Sequence, residues 1–163
     1  MQGFGGKGSG SRTIDGSSSG PMSDINCMLR SGARARAQRL QDRLAQFGAV
    51  GCRIAARLPS SGMGRPIGQQ LIHACTSPAA NYAEARKSES HRNSTHKLKL
   101  CLKELRETRV WLELIAELEL LSEDQLSRAI TESDELISIL VVSVNRSKGS
   151  RAKRPPRMGC RNS

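Results

Sequence analysis

Residues 97–121 read KLKLCLKELRETRVWLELIAELELL. Two apolar stripes run through this stretch at helical spacing. Leu98, Cys101 with Leu102, Leu105, Leu112 and Ile115 form the first; Leu100, Trp111, Leu114, Leu118 and Leu121 form the second. Spacings of three and four residues place side chains on one face of an α-helix, whereas a strand repeats every second residue. The pattern predicts one long helix from about Ser90 to Leu120. Two stripes are more than one bundle core needs. Either the helix has a broad buried face within the chain, or the second stripe is a surface for another subunit. Trp111, Leu114, Leu118 and Leu121 are therefore the candidate oligomer interface.

Three further helices follow on either side. Upstream, Leu40, Leu44, Phe47, Gly51 with Ile54, and Leu58 predict a helix from about Arg39 to Leu58, which Pro59 and Ser60-Ser61-Gly62 end. Ala33 to Gln38 are able to extend it forward. The next helix starts near Gly64-Arg65-Pro66 and presents Ile67, Leu71, Cys75, Ala79 and Tyr82. Pro78 falls inside it, removes a backbone donor and predicts a kink. Downstream, Ser122 is a good N-cap, and Glu123 and Asp124 suit the positive end of a helix dipole. Leu126, Ile130, Ile137, Leu140, Val141 and Val144 carry the last stripe to about Asn145. Four amphipathic helices on short loops predict an all-α, antiparallel, up-down-up-down four-helix bundle over residues 38–147.

Composition supports an all-α class. Phe4, Phe47, Tyr82 and Trp111 are the whole aromatic set, too few for a typical sandwich. Residues 1–37 are rich in Gly, Ser and Arg, and residues 148–163 are basic and contain proline; both are expected to be disordered. Met22 and Met28 offer alternative starts. No apolar run is long enough to span a bilayer and no secretory segment opens the chain, which predicts a cytoplasmic protein. The five cysteines form no C-x-x-C pair. Cys52, Cys75 and Cys101 read as reduced thiols packed as small hydrophobes, and Cys27 and Cys160 as free thiols in the tails.

The stretch Thr76-Ser77-Pro78-Ala79-Ala80-Asn81-Tyr82-Ala83-Glu84-Ala85 resembles the signature of the family called four helix bundle protein. That family is also known as S23, after reading frames in intervening sequences of bacterial 23S ribosomal RNA genes. Leu58-Pro59, Arg65 to Leu71, Leu102 to Thr108 and Leu121-Ser122-Glu123 fit the same pattern, so the likeness covers about Asp42 to Ser147. It implies an antiparallel four-helix bundle, assembly as a homopentamer around a central channel, a bacterial source and no known catalytic residues. A related branch comprises the accessory proteins of diversity-generating retroelements, which are basic, bind nucleic acid and contact a reverse transcriptase. The two tails lie outside the pattern, and no family property extends to them.

Charge is unevenly distributed. Between Arg86 and Arg109 eight basic residues face only Glu89, Glu104 and Glu107, whereas from Val110 to Ser147 two basic residues face eight acids. One reading is a solvated helix face with pairs such as Lys103–Glu107. A second is a phosphate-binding surface, repeated by oligomer symmetry, and a third is charge complementarity between subunits. The candidate nucleic-acid contacts are Arg86, Lys87, Arg92, Lys97, Lys99, Lys103 and Arg106, with Arg151, Lys153, Arg154 and Arg157 from the tail. The lack of aromatics argues for phosphate contacts and weak sequence preference rather than base stacking.

Nothing in the sequence assembles a catalytic or metal site. His91 and His96 are five apart, off the spacing that puts two ligands on one helical face, and no carboxylate pair completes a site. No nucleophile–base pair is suggested by spacing. Asn81 and Glu84 read as structural, through a helix-to-helix hydrogen bond or a pairing with a basic residue of the third helix, with a ligand contact in a central channel as the alternative. The expectation is a non-enzymatic protein without cofactor: an oligomeric accessory protein that binds RNA or DNA, or alternatively a docking or scaffold module whose partner is a protein.

Overall fold

The computed structural model describes residues 21–152, with side chains from Met28 to Gly149. Four helices make up this part of the chain: α1 (Pro21–Ala55), α2 (Gly64–Lys87), α3 (His91–Glu117) and α4 (Glu123–Ala152). Contacts divide the chain into Met1–Arg36 and Ala37–Ser163. In the first unit, α1 begins at Pro21, ahead of the Ala33–Gln38 run that the sequence offers as a forward extension of the helix. The Ala33-Arg34-Ala35-Arg36-Ala37 part of α1 is made of strong helix formers.

In the second unit the helices pack as the expected bundle. Gln41 Nε2 donates to the carbonyl of Ala79, and Gly48 meets Cys75, so α1 and α2 run antiparallel. Cys101 lies on the carbonyl of Pro78, and Lys97 pairs with Glu84, which orients α3 against α2. Arg109 reaches Asp134 while Thr95 reaches Ser147, so α4 runs back along α3. Arg43 of α1 closes the ring onto Glu132 and Glu135 of α4. These two carboxylates accept hydrogen bonds from the guanidinium and raise its pKa.

The core is aliphatic. Leu44, Leu71, Leu105, Leu112, Ile115, Leu126, Leu136 and Leu140 are among its fully buried members. The predicted stripes of the first three helices account for most of it. In α4 the core positions are Leu126, Ala129, Ser133, Leu136, Leu140 and Val144, each three or four residues from the next. Ile130, Ile137 and Val141, assigned to the stripe from sequence, flank this line and are half-buried against the core. The two buried hydroxyls are satisfied within their own helices, Thr108 by the carbonyl of Glu104 and Ser133 by that of Ile130.

Helix ends follow local chemistry. Ser90 caps α3, its hydroxyl accepting from the amide of Asn93. At the start of α4 the Gln125 side chain accepts from the amide of Ser122, one half of a capping box. α2 runs through Pro78 without a break in the helix. The preceding hydroxyls of Thr76 and Ser77 bond back to the carbonyls of Ile72 and His73. α4 continues to Ala152 rather than stopping near Asn145, because no proline interrupts it before Pro155.

α3 ends with its last carbonyls closed by the amides of Leu118, Glu119 and Leu120. Glu119 takes φ +51, the left-handed conformation that glycine adopts without strain. Replacing Glu119 by glycine is expected to stabilise the bundle by about 1 kcal/mol, because the Cβ penalty disappears. Urea denaturation reads this as a higher midpoint with unchanged slope.

Candidate nucleic-acid interface

Antiparallel packing turns charge polarity along the sequence into polarity in space. The basic first half of α3 lies beside the end of α4, which carries Arg146 and Lys148. The acidic start of α4, with Glu123 and Asp124, lies at the end of α3 that carries Glu113 and Glu117.

Within the basic half, the residues singled out from sequence divide into three groups. Lys99, Lys103 and Arg106 recur at four and three residues along α3 and line a groove of about 400 Å³ against α4. Leu102, Val141 and Val144 form its apolar floor, and Asn145 and Lys148 its other wall. The groove has four cations and no carboxylate among its lining residues. Lys103 hydrogen-bonds Glu104 and Glu107, in that order of effect, and both hold its pKa up; its ammonium stays charged and exposed. Arg92 is exposed near the start of α3.

A second group sits at the end of α2. Arg86 donates to Gln38 of α1, and with Lys87 lines a shallow depression shared with Gln41 and Ala83. The third is engaged in packing. Lys97 pairs with Glu84 across the α2–α3 seam at 2.6 Å, the helix-to-helix partnership expected for Glu84. Asn81 instead donates to the carbonyl of Ser77 in its own helix. Arg109, the last cation of the basic run, is held by Glu113 and Asp134. Arg151 lies within α4, while Lys153, Arg154 and Arg157 lie outside the described residues.

Lys148 is the groove residue that sequence reasoning did not select. The sequence pattern places it in the tail, whereas the extended α4 brings it into the groove with Lys99 and Lys103. The signal was present in the antiparallel topology, which sets the end of the last helix against the beginning of the third.

The second stripe of α3 is largely absorbed within the chain. Trp111, Leu114 and Leu121 are half-buried against the core, and Leu118 is 37% exposed. Val110 on α3 and Val142 on α4 are more exposed than any of these. Among the described residues no group of three or more His, Cys, Asp or Glu side chains is placed to hold a metal ion, and no helix is long and apolar enough to cross a membrane.

Residues 49–142 match the family model described as 23S rRNA-intervening sequence protein. The chain belongs to this family. The match contains the Thr76–Ala85 run on which the resemblance rested, and all of α3. A solved structure from Bacteroides thetaiotaomicron, described as a protein of unknown function from the S23 ribosomal protein family, is similar in fold, with a TM-score of 0.63. It is 25% identical, and the alignment covers 67% of this chain and 97% of that one. No curated protein matches the chain. Three of the four groove cations fall inside the stretch matching the 23S rRNA-intervening sequence protein family; Lys148 lies beyond it.

Proposed function

We propose that this 23S rRNA-intervening sequence protein family member is a non-catalytic accessory protein that binds the phosphate backbone of RNA or DNA as a homo-oligomer. The observation that carries the reading is the α3–α4 groove, lined by Lys99, Lys103, Arg106 and Lys148 without an acid among them. Each phosphate neutralised releases counterions, so several modest contacts add up, and copies in a ring multiply them. The groove has no aromatic side chain on which a base would stack, which favours backbone contacts over sequence readout. The six basic residues from Lys148 onward extend the same positive region along the sequence.

Light-scattering mass, with and without a short duplex, tests this reading. The expected result is an oligomer that gains mass at low salt and releases the duplex as salt rises. Removal of residues 150–163 is expected to weaken binding and flatten its salt dependence, while the groove retains part of both. A second reading, a bundle that docks a protein, draws on the exposed Val110, Ile139 and Val142. An oligomer that ignores duplex at every salt concentration favours that reading.

A further inference from the structure

α4 carries a second line of side chains on the face turned away from the core. Glu135, Ile139, Val142 and Arg146 follow one another at four, three and four residues, and all are exposed. That spacing keeps them on one narrow stripe, as in a coiled-coil seam. Ile139 is 37% and Val142 48% exposed, so both are among the large apolar side chains that the bundle leaves uncovered. The neighbouring hydroxyls are already satisfied, Ser138 by the carbonyl of Asp134 and Ser143 by that of Ile139. Covering the stripe therefore strands neither hydroxyl. Arg43 of α1 holds one carboxylate oxygen of Glu135, and Arg146 has no ion pair among the described residues.

We propose that this stripe is a two-fold contact with α4 of a second copy of the chain, the two helices running antiparallel. An antiparallel pair centred midway between Ile139 and Val142 sets Ile139 against the partner's Val142. It sets Glu135 against the partner's Arg146, each four residues further out. The order acid, aliphatic, aliphatic, base is its own complement when reversed, which an isologous contact requires. A parallel pair in register would oppose like charges instead. A partner of another sequence places no such symmetry on the stripe. The surface relief agrees: Thr131, Asp134, Glu135, Ser138 and Ile139 line an open depression of about 430 Å³. The partner's Val142 lies opposite its apolar side, and the partner's Arg146 opposite its carboxylates. The two-fold axis stands perpendicular to both helices, so the α3–α4 grooves of the two copies open on the same side. That doubles the cationic surface offered to a polyanion, although the contact itself does not depend on the phosphate-binding reading. The contact is small and part of it is ionic, so it weakens on dilution and with rising salt.

Sedimentation velocity and light-scattering mass of the full chain, without nucleic acid and over a wide range of concentration, test the contact. The expected result is an even number of copies at high concentration and a mass that halves on dilution. Val142→Glu and Arg146→Glu are each expected to halve the mass at concentrations where the parent is associated. Both positions are exposed, and circular dichroism checks that the helices persist. Glu135→Arg is expected to do the same, while Arg43 keeps its two hydrogen bonds to Glu132. A chain carrying Glu135→Arg and Arg146→Glu together restores opposite charges across the axis. It is expected to regain the parent mass, a rescue that damage to the fold would not produce. An odd number of copies in the parent, a mass that Val142→Glu leaves unchanged, or a double variant no heavier than Arg146→Glu alone overturns the proposal. With no nucleic acid present, each of these outcomes leaves the phosphate-binding reading to its own test.

Discussion

Reversing two charges of the groove, with Lys99→Glu and Arg106→Glu together, is expected to abolish duplex binding while leaving the fold intact. Both side chains are exposed, and neither takes part in an ion pair found among the described residues. Surface substitutions of this kind usually change stability by no more than about 0.5 kcal/mol. Their effect on a polyanion is much larger. Four phosphate contacts give a slope of about −3.6 in log K against log salt, so a fourfold rise in salt weakens binding roughly 150-fold. Replacement by glutamine removes two of the groove contacts and flattens the slope by about 1.8; glutamate adds repulsion next to the remaining Lys103 and Lys148. Fluorescence anisotropy with a labelled duplex reads both effects, and circular dichroism shows whether the helices persist. As a control, Lys97→Gln removes a cation already held by Glu84 and is expected to change binding little.

Leu105→Ala is expected to be the most damaging single substitution to stability. Leu105 is fully buried near the middle of α3, where the helix packs against both α2 and α4. Truncating a buried leucine to alanine removes transfer free energy and leaves a cavity that rigid helices fill poorly, at a cost of about 2–5 kcal/mol. Domains of this size have about 5–15 kcal/mol in total, so the variant should show a much lower urea midpoint. Leu118→Ala is the informative contrast. Its side chain is 37% exposed in the single chain, so a small effect is expected unless another subunit covers it. A loss as large as that of Leu105→Ala, together with a change in oligomer mass, would place Leu118 in an interface.

The core of the first two helices was legible because their spaced apolar residues mark a single face. Leu44, Phe47, Ile54 and Leu58 in α1, and Ile67, Leu71, Cys75 and Tyr82 in α2, are buried as their spacing requires. In α4 the signal blurred. Ile130, Ile137, Ile139, Val141 and Val142 surround the helix with aliphatic side chains, so more than one stripe can be drawn, and Leu136 was left out of the one chosen. Helix ends without a stop residue were equally hard to place, which is why α1 and α4 both exceed their expected spans.

The site was legible only in part, since cations close in sequence separate once the helix turns. Lys97 and Lys99 lie two residues apart, yet one faces Glu84 of α2 and the other the α4 groove. Lys148 joins that groove from 42 or more positions away, a placement that depends on pairing between helices.

The salt dependence of duplex binding by the intact chain tests the central claim most directly. Anisotropy measured between about 50 and 200 mM salt should give a linear log–log plot with a slope of about −3.6 or steeper, since oligomer copies and the basic tail add contacts to the four groove cations. Binding that is absent at the lowest salt, or that persists unchanged across the range, would contradict a phosphate-binding role for this groove.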